Sequence, residues 1–236
     1  MFTQLIHTLI NSVLPHHCLL CNTISQLDKD ICQRCWLSLP WLLSSCAQCG
    51  RALDIAHTKP LTCGECLKKP PSYDTTIAPL IYQDAIIGLI TKLKFYHNLP
   101  AARLFAELIA DRALAHYSPK ELPTLLIPIP LHPKRLRRRG YNQATLIAKH
   151  LGKLTKIPIN HHLCTRIRHT PPQSKRSAIS RRSNLLGAFK MNKSCADSHV
   201  AIIDDVMTTG STVGTLSHVL KQQGVERVSV WCVARV

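Results

Sequence analysis

The sequence predicts an α/β protein: an open, mostly parallel sheet with helices on both faces, preceded by a small cysteine-rich module. Three observations lead there. Eight of the eleven cysteines fall in four CxxC pairs within residues 18–66. After a hydrophilic break at Lys68-Lys69-Pro70-Pro71-Ser72, apolar runs of strand length alternate with helical patterns. Late in the chain, a fully apolar strand delivers two aspartates and a Gly/Thr/Ser loop to the start of a helix. The break divides the chain into an N-terminal part, residues 1–70, and a larger domain, residues 73–236.

The cysteine-rich part begins with apolar residues at helical spacing over positions 2–14, closed by Pro15. This helix has no Lys or Arg on its polar face, so it reads as one that packs on the body of the protein rather than on a membrane. In the larger part, Thr75–Tyr82 reads as a strand, then Asp84–Phe95 and Pro100–His116 as helices. Thr124–Ile129 is a short apolar strand and Asn142–Leu154 a helix. Val200–Ile203 is a buried strand, Thr212–Gln223 a helix closed by Gly224, and Val225–Ala234 a last, β-branched strand.

Composition narrows the classes. With 236 residues, 45% of them apolar, the chain can bury a sizeable core, which excludes wholesale disorder. The most apolar stretch, Leu122–Leu131, is ten residues long with three prolines, far short of the ~20 residues of a membrane span. The N-terminus lacks the basic region and continuous apolar run of a signal peptide, so a cytoplasmic protein is expected. In a reducing compartment the CxxC pairs point to metal rather than to disulfides.

Zn²⁺ accepts four thiolates, and a CxxC turn brings two to one ion. Cys18, Cys21, Cys32, Cys35, Cys46, Cys49, Cys63 and Cys66 therefore suit two structural Zn²⁺ sites. Sequential pairing and cross-braced pairing are both compatible with the spacing. Asn22, Gly50 and Gly64, placed after or inside the pairs, suit the left-handed backbone such turns use.

The sharpest motif is Val200-Ala-Ile-Ile-Asp-Asp-Val-Met-Thr-Thr-Gly-Ser-Thr212. Small hydroxyl residues and a glycine at a helix start present N–H groups and hydroxyls to an anion. Two carboxylates beside a phosphate repel it unless they meet hydroxyls or a cation, as in a ribose diol or with Mg²⁺. The segment resembles the phosphoribosyl pyrophosphate (PRPP) motif of type I phosphoribosyltransferases. That resemblance implies a ribose diol held by Asp204 and Asp205 and a 5′-phosphate cradled by Thr208, Thr209, Gly210, Ser211 and Thr212. A Walker-type ATPase is disfavoured, since no GxxxxGK[ST] occurs in the chain.

A second segment, Ile127-Pro-Ile-Pro-Leu-His-Pro-Lys-Arg-Leu-Arg-Arg-Arg-Gly-Tyr-Asn-Gln143, resembles the ComF (GntX) competence family. Lys94, Arg168, Thr170, Gln173, Asn184 and Ala188-Phe189 fall at that family's spacing, and the order of zinc ribbon and phosphoribosyltransferase-like domain is also similar. His97 stands where a glycine is usual, and Arg176 where an apolar residue is. The resemblance implies a role in handling incoming DNA or in using DNA as a nutrient, with competence-machinery proteins such as a DNA-uptake helicase as partners. It assigns catalysis to Asp204, Asp205 and Arg168. Leu131–Arg135, with Lys134 and Arg135, is expected to form a loop for the pyrophosphate, and Thr165–Arg182 a mobile lid. The chain closes shortly after its last strand, so any acceptor pocket is expected from the zinc ribbon or from residues 73–95.

Charge adds one more element. The net charge is +17, and Leu122–Ala196 holds sixteen Lys or Arg with no Asp or Glu. PRPP carries about five negative charges and needs two or three basic side chains beside Mg²⁺. The surplus suits either a solvated basic face or single-stranded DNA, with Arg137 and Arg138 the candidates for the latter. Two functions follow: a phosphoribosyltransferase in DNA uptake, or a PRPP-responsive nucleic-acid-binding protein with little turnover.

Overall fold

The computed structural model describes residues 16–54, 61–168, 187–195 and 199–236. The predicted helix at 2–14 and most of the predicted lid lie outside these residues. The cysteine-rich segment carries two short helices, α1 (Gln33–Leu37) and α2 (Gly64–Lys68). Then follow β1 (Thr75–Ile77), β2 (Leu80–Ile81), α3 (Asp84–Phe95), α4 (Pro100–His116), β3 (Leu125–Pro128), α5 (Pro133–Arg139) and α6 (Gln143–Thr155). A hairpin of β4 (Cys164–Arg166) and β5 (Phe189–Met191) precedes β6 (His199–Met207), α7 (Ser211–Gln222) and β7 (Arg227–Arg235).

The main sheet runs β1-β7-β6-β3, with β2 extending the β1 side of β7, and every pairing in it is parallel. Such a sheet must be covered on both faces. Alternation along the central strands achieves this. Ala201, Ile203, Trp231 and Val233 point to one core, with Phe105 and Leu108 of α4 and Ile147 and Leu151 of α6. Val200, Ile202, Val230 and Cys232 point to the other, with Val213, Leu216 and Leu220 of α7.

The cysteine-rich segment completes both cores rather than standing apart. Cys18, Ile31 and Leu39 join the first, and Leu42, Cys46, Cys49 and Cys66 join the second. Between them the chain crosses the open edge at β2, where Leu42 N–H donates to Pro79 O and Ile81 N–H to Pro40 O, each at 2.8 Å. At the opposite edge, residues 158–160 bond to Leu126 of β3. Both edges of the sheet are thus protected from pairing with another chain.

Three elements differ from the sequence expectation. Pro79 interrupts the strand expected over Thr75–Tyr82. Leu131–Arg135 is no loop: His132 caps a helix with Pro133 at its first position, which places Lys134 and Arg135 in the first turn of α5. And β6 continues past Ile203 to Met207, so Asp204 and Asp205 lie within the strand.

Candidate functional site

The helix following β6, α7, lies on one face of the sheet, and α6, which follows β3, lies on the other. The neighbouring carboxyl ends of β3 and β6 therefore diverge into a crevice, where open α/β sheets place their ligands. Asp204 and Asp205 stand at this point.

Each carboxylate is held by the chain that carries it. Asp205 N–H donates to Asp204 Oδ1 at 2.8 Å, and Val206 N–H to Asp205 Oδ1 at 2.7 Å. Asp205 is paired with Lys94 of α3 at 2.7 Å. Desolvation, then the neighbouring Asp205 carboxylate, push Asp204 up to about 8. Asp205 thus meets Lys94, whereas Asp204 favours its proton. A diol, which donates two hydroxyl hydrogens, or a cation suits such a pair.

After β6 the backbone turns through Thr208 and Thr209, both exposed, into the left-handed Gly210, which caps α7. A side chain at Gly210 would strike the Tyr73 hydroxyl, so both φ and space require glycine. Thr209 and Ser211 hydroxyls share a hydrogen bond of 2.8 Å. Ser211 and Thr212 form the first turn of α7, with their N–H groups at its positive end.

Arg235 fixes this loop, and sequence reasoning passed it over. Its buried guanidinium donates to Met207 O at 3.1 Å, to Thr208 O, and to Cys49 O at 2.9 Å. The second cysteine knuckle and the Thr208–Thr212 loop are thereby tied together. An Arg directly after the apolar run Val230–Ala234 was the available signal. A groove of about 800 Å³ runs between the two, walled by Arg51, Pro71, Tyr73, Ser211 and His218.

The basic residues divide. Arg135 is half-buried, and desolvation, then Arg139, lower its pKa. Arg166 on β4 is buried and lies within the field of both Arg135 and Asp204, desolvation again being the main cause of its lowered pKa. Arg166 was also not singled out from sequence. Arg168 is exposed beside Gly187, and Lys134, Arg137 and Arg138 are exposed on α5. Thr170, Gln173, Arg176 and Asn184 lie outside the described residues.

The cysteines fall into two groups in sequential pairing: Cys18, Cys21, Cys32 and Cys35, and Cys46, Cys49, Cys63 and Cys66. Within each, the sulfurs lie within 4.8 Å of one another. Cys21 and Cys32 sulfurs are 3.6 Å apart, and Cys49 and Cys63 3.7 Å. Tetrahedral bonds of about 2.3 Å to Zn²⁺ demand sulfur separations of about 3.8 Å, so the donors fit. The Thr23 hydroxyl and N–H bring Cys21 down to about 6. Burial opposes ionisation of Cys46, but the N–H groups of Cys49, Cys63 and Gln48 lower it to about 7. Desolvation, then neighbouring sulfurs, raise Cys35 and Cys66. Four thiolates so close repel one another, and a divalent cation relieves that repulsion. Asn22 and Gly50 are left-handed as expected, whereas Gly64 opens α2.

Fold and site together define a double zinc ribbon built onto the edge of an open parallel sheet with an acidic pair and a Thr/Gly/Ser loop at its carboxyl end. Residues 9–67 match the double zinc ribbon domain family. The chain is 36% identical to competence protein F of Haemophilus influenzae, over 86% of this chain and 88% of that one. It is 34% identical to DNA utilization protein YhgH of Salmonella typhimurium, over 94% and 97%, and 25% identical to competence protein ComFC of Bacillus subtilis, over 84% and 80%. The chain belongs to the family of competence protein F and YhgH. Solved structures similar to it include a Trypanosoma cruzi hypoxanthine phosphoribosyl transferase, at 16% identity and TM-score 0.36, covering 57% of this chain and 73% of that one. A purine phosphoribosyltransferase from Pyrococcus horikoshii aligns at 14% identity and TM-score 0.35, covering 60% and 85%. Among the described residues, no helix is long and apolar enough to cross a membrane.

Proposed function

We propose that this protein binds PRPP with Mg²⁺ at the carboxyl end of β6 and acts in the cytoplasm in DNA uptake or in the use of DNA as a nutrient. The relatives' names, competence and DNA utilization, support the second half. The observation that carries the first is the acidic pair at the crevice between β3 and β6, followed at once by the anion loop.

In this reading, Asp204 and Asp205 accept hydrogen bonds from the ribose diol. Thr208 to Thr212 hold the 5′-phosphate by N–H groups and hydroxyls. Lys134 and Arg135, in the first turn of α5, meet the pyrophosphate from the β3 side of the crevice, and Arg168 approaches from the end of β4. Mg²⁺ arriving with PRPP would neutralise pyrophosphate charge as it leaves. Residues 73–236 form the PRPP-binding domain. Residues 1–70 form the zinc module, with two structural Zn²⁺ ions supplying folding energy that so small a core lacks.

A second reading, a PRPP-responsive protein that binds single-stranded DNA with little turnover, is favoured by the division of α5. Arg135 is half-buried and lies in the field of Arg166, while Arg137 and Arg138 are exposed in a stretch without any acid. These two are the proposed phosphate contacts, and competence-machinery proteins such as a DNA-uptake helicase are the partners it would serve.

Titration calorimetry of Mg²⁺-PRPP tests the site. Asp204→Asn with Asp205→Asn should weaken binding by on the order of 100-fold, because the negative charge that strengthens the diol's hydrogen bonds is lost. Binding as tight as that of the unmodified protein would refute the assignment.

A further inference from the structure

We infer that the bases of single-stranded DNA stack on Phe95 and Tyr96, at the end of α3, while their phosphates lie along α5. The inference rests on the DNA-binding reading above and adds to it the surface that receives the bases.

Phe95 and Tyr96 follow Lys94 where α3 ends, and both rings face solvent, Phe95 58% exposed and Tyr96 74%. An aromatic pair so exposed gains little from folding, since most of its apolar area stays in water. The Arg139 guanidinium lies 5.2 Å from the Phe95 ring centroid. Arg139 is in turn anchored to Gln143 Oε1 at 2.7 Å. The basic helix and the aromatic pair therefore form one continuous surface. Next to them, His97 takes the left-handed conformation at φ 54° and its ring lies 5.3 Å from that of Tyr141. The Tyr141 hydroxyl donates to Leu93 O, which locks the turn after α5 onto α3. The platform is thus braced from below.

Charge selects the occupant. Arg137, Arg138 and Arg139 occupy the last turn of α5, and Lys92 is exposed one turn before Tyr96 on α3. Flat rings flanked by cations match a polyanion whose own flat groups are free to splay, which is single-stranded nucleic acid. A duplex keeps its bases stacked inside and could use only the cations. An apolar partner helix would find too much charge here.

The test measures binding of a fluorescent oligothymidylate, about 20 nucleotides long, across a salt series. Phe95→Ala with Tyr96→Ala should weaken binding by roughly 5- to 150-fold for each base that no longer stacks. The slope of log K against log salt should stay unchanged, because every phosphate keeps its cation. Arg137→Ser with Arg138→Ser should instead flatten that slope by about 1.4. An abasic deoxyribose-phosphate strand of equal length should bind the unmodified protein as weakly as oligothymidylate binds the alanine variant, and Phe95→Trp should retain full affinity. Undiminished affinity of the alanine variant or of the abasic strand would overturn the stacking inference and leave the phosphate contacts standing. Failure of the unmodified protein to bind oligothymidylate at low salt would overturn the DNA-binding reading itself, and the inference with it.

Discussion

The two ends of the central strands treat polar residues in opposite ways. At the amino end, His199 opens β6 with Nδ1 on Glu121 O at 2.9 Å and Nε2 on Ser229 Oγ at 2.6 Å. Ser229 also meets the Tyr117 hydroxyl at 2.9 Å. Burial, then Arg227, lower His199 to about 4, and the neutral ring satisfies all its neighbours. At the carboxyl end, five residues further along β6, Lys94 pairs with Asp205, and the adjacent Asp204 is pushed up to about 8. The protein alone meets the demands of the first group and not of the second. A polar cluster complete in itself is architecture, whereas one left in electrostatic conflict on a rigid strand end is a site.

The largest expected effect lies in the metal, which reaches the two ends unequally. Structural zinc contributes on the order of 10 kcal/mol per ion to the folding of such modules. Chelation should therefore unfold the ribbons and, through the Cys49–Arg235–Thr208 connection, loosen the Thr208–Thr212 loop. Hydrogen exchange should show Thr208–Thr212 losing protection while Val228 and Val230 retain theirs. Elemental analysis yielding no zinc, or iron in its place, would break this prediction.

A smaller effect sharpens the contrast from the other side. His199→Leu takes the imidazole from Glu121 O and leaves Ser229 with the Tyr117 hydroxyl, and should cost about 2 kcal/mol in urea unfolding while leaving Mg²⁺-PRPP affinity within twofold. A loss of affinity matching that of the Asp204/Asp205 variant would erase the distinction between the ends.

The sequence made the carboxyl end far more legible than its surroundings. Asp204 to Thr212 are contiguous, so a linear motif carries them whole, and the CxxC spacing carries the cysteines in the same way. Sequential pairing of the clusters was not legible, because four equivalent pairs encode no preference until the chain is folded. Arg235 and Arg166 were missed because their partners lie across the fold: Arg235 bonds Cys49, 186 positions away. The α5 helix was hidden by its composition, since three arginines after Pro-Lys-Arg show no apolar periodicity. His132 as N-cap and Gly140 at its left-handed end define it instead. Phe95 closes the predicted helix over Asp84–Phe95, and only the folded chain shows that its ring is exposed.

The pH dependence of stability separates the two ends most finely. His199 is lowered below its unfolded value of about 6.5, so its contribution falls only as pH drops from there toward 4. Asp204 is raised above its unfolded value of about 3.9, so its contribution is complete in acid and is lost as pH rises toward 8. Between pH 6.5 and 8 only the carboxyl end contributes to this pair of opposed slopes. Urea midpoints of the unmodified protein and of Asp204→Asn, measured at pH 6.5 and pH 8 alongside Mg²⁺-PRPP affinity, therefore test the central claim directly. The unmodified protein should lose stability over this interval, and the variant should not. At pH 8 the variant should be the more stable of the two and should bind PRPP at least tenfold more weakly. A variant that is less stable at pH 8, or one that binds PRPP undiminished, would contradict the claim that this carboxylate is held in conflict for a ligand.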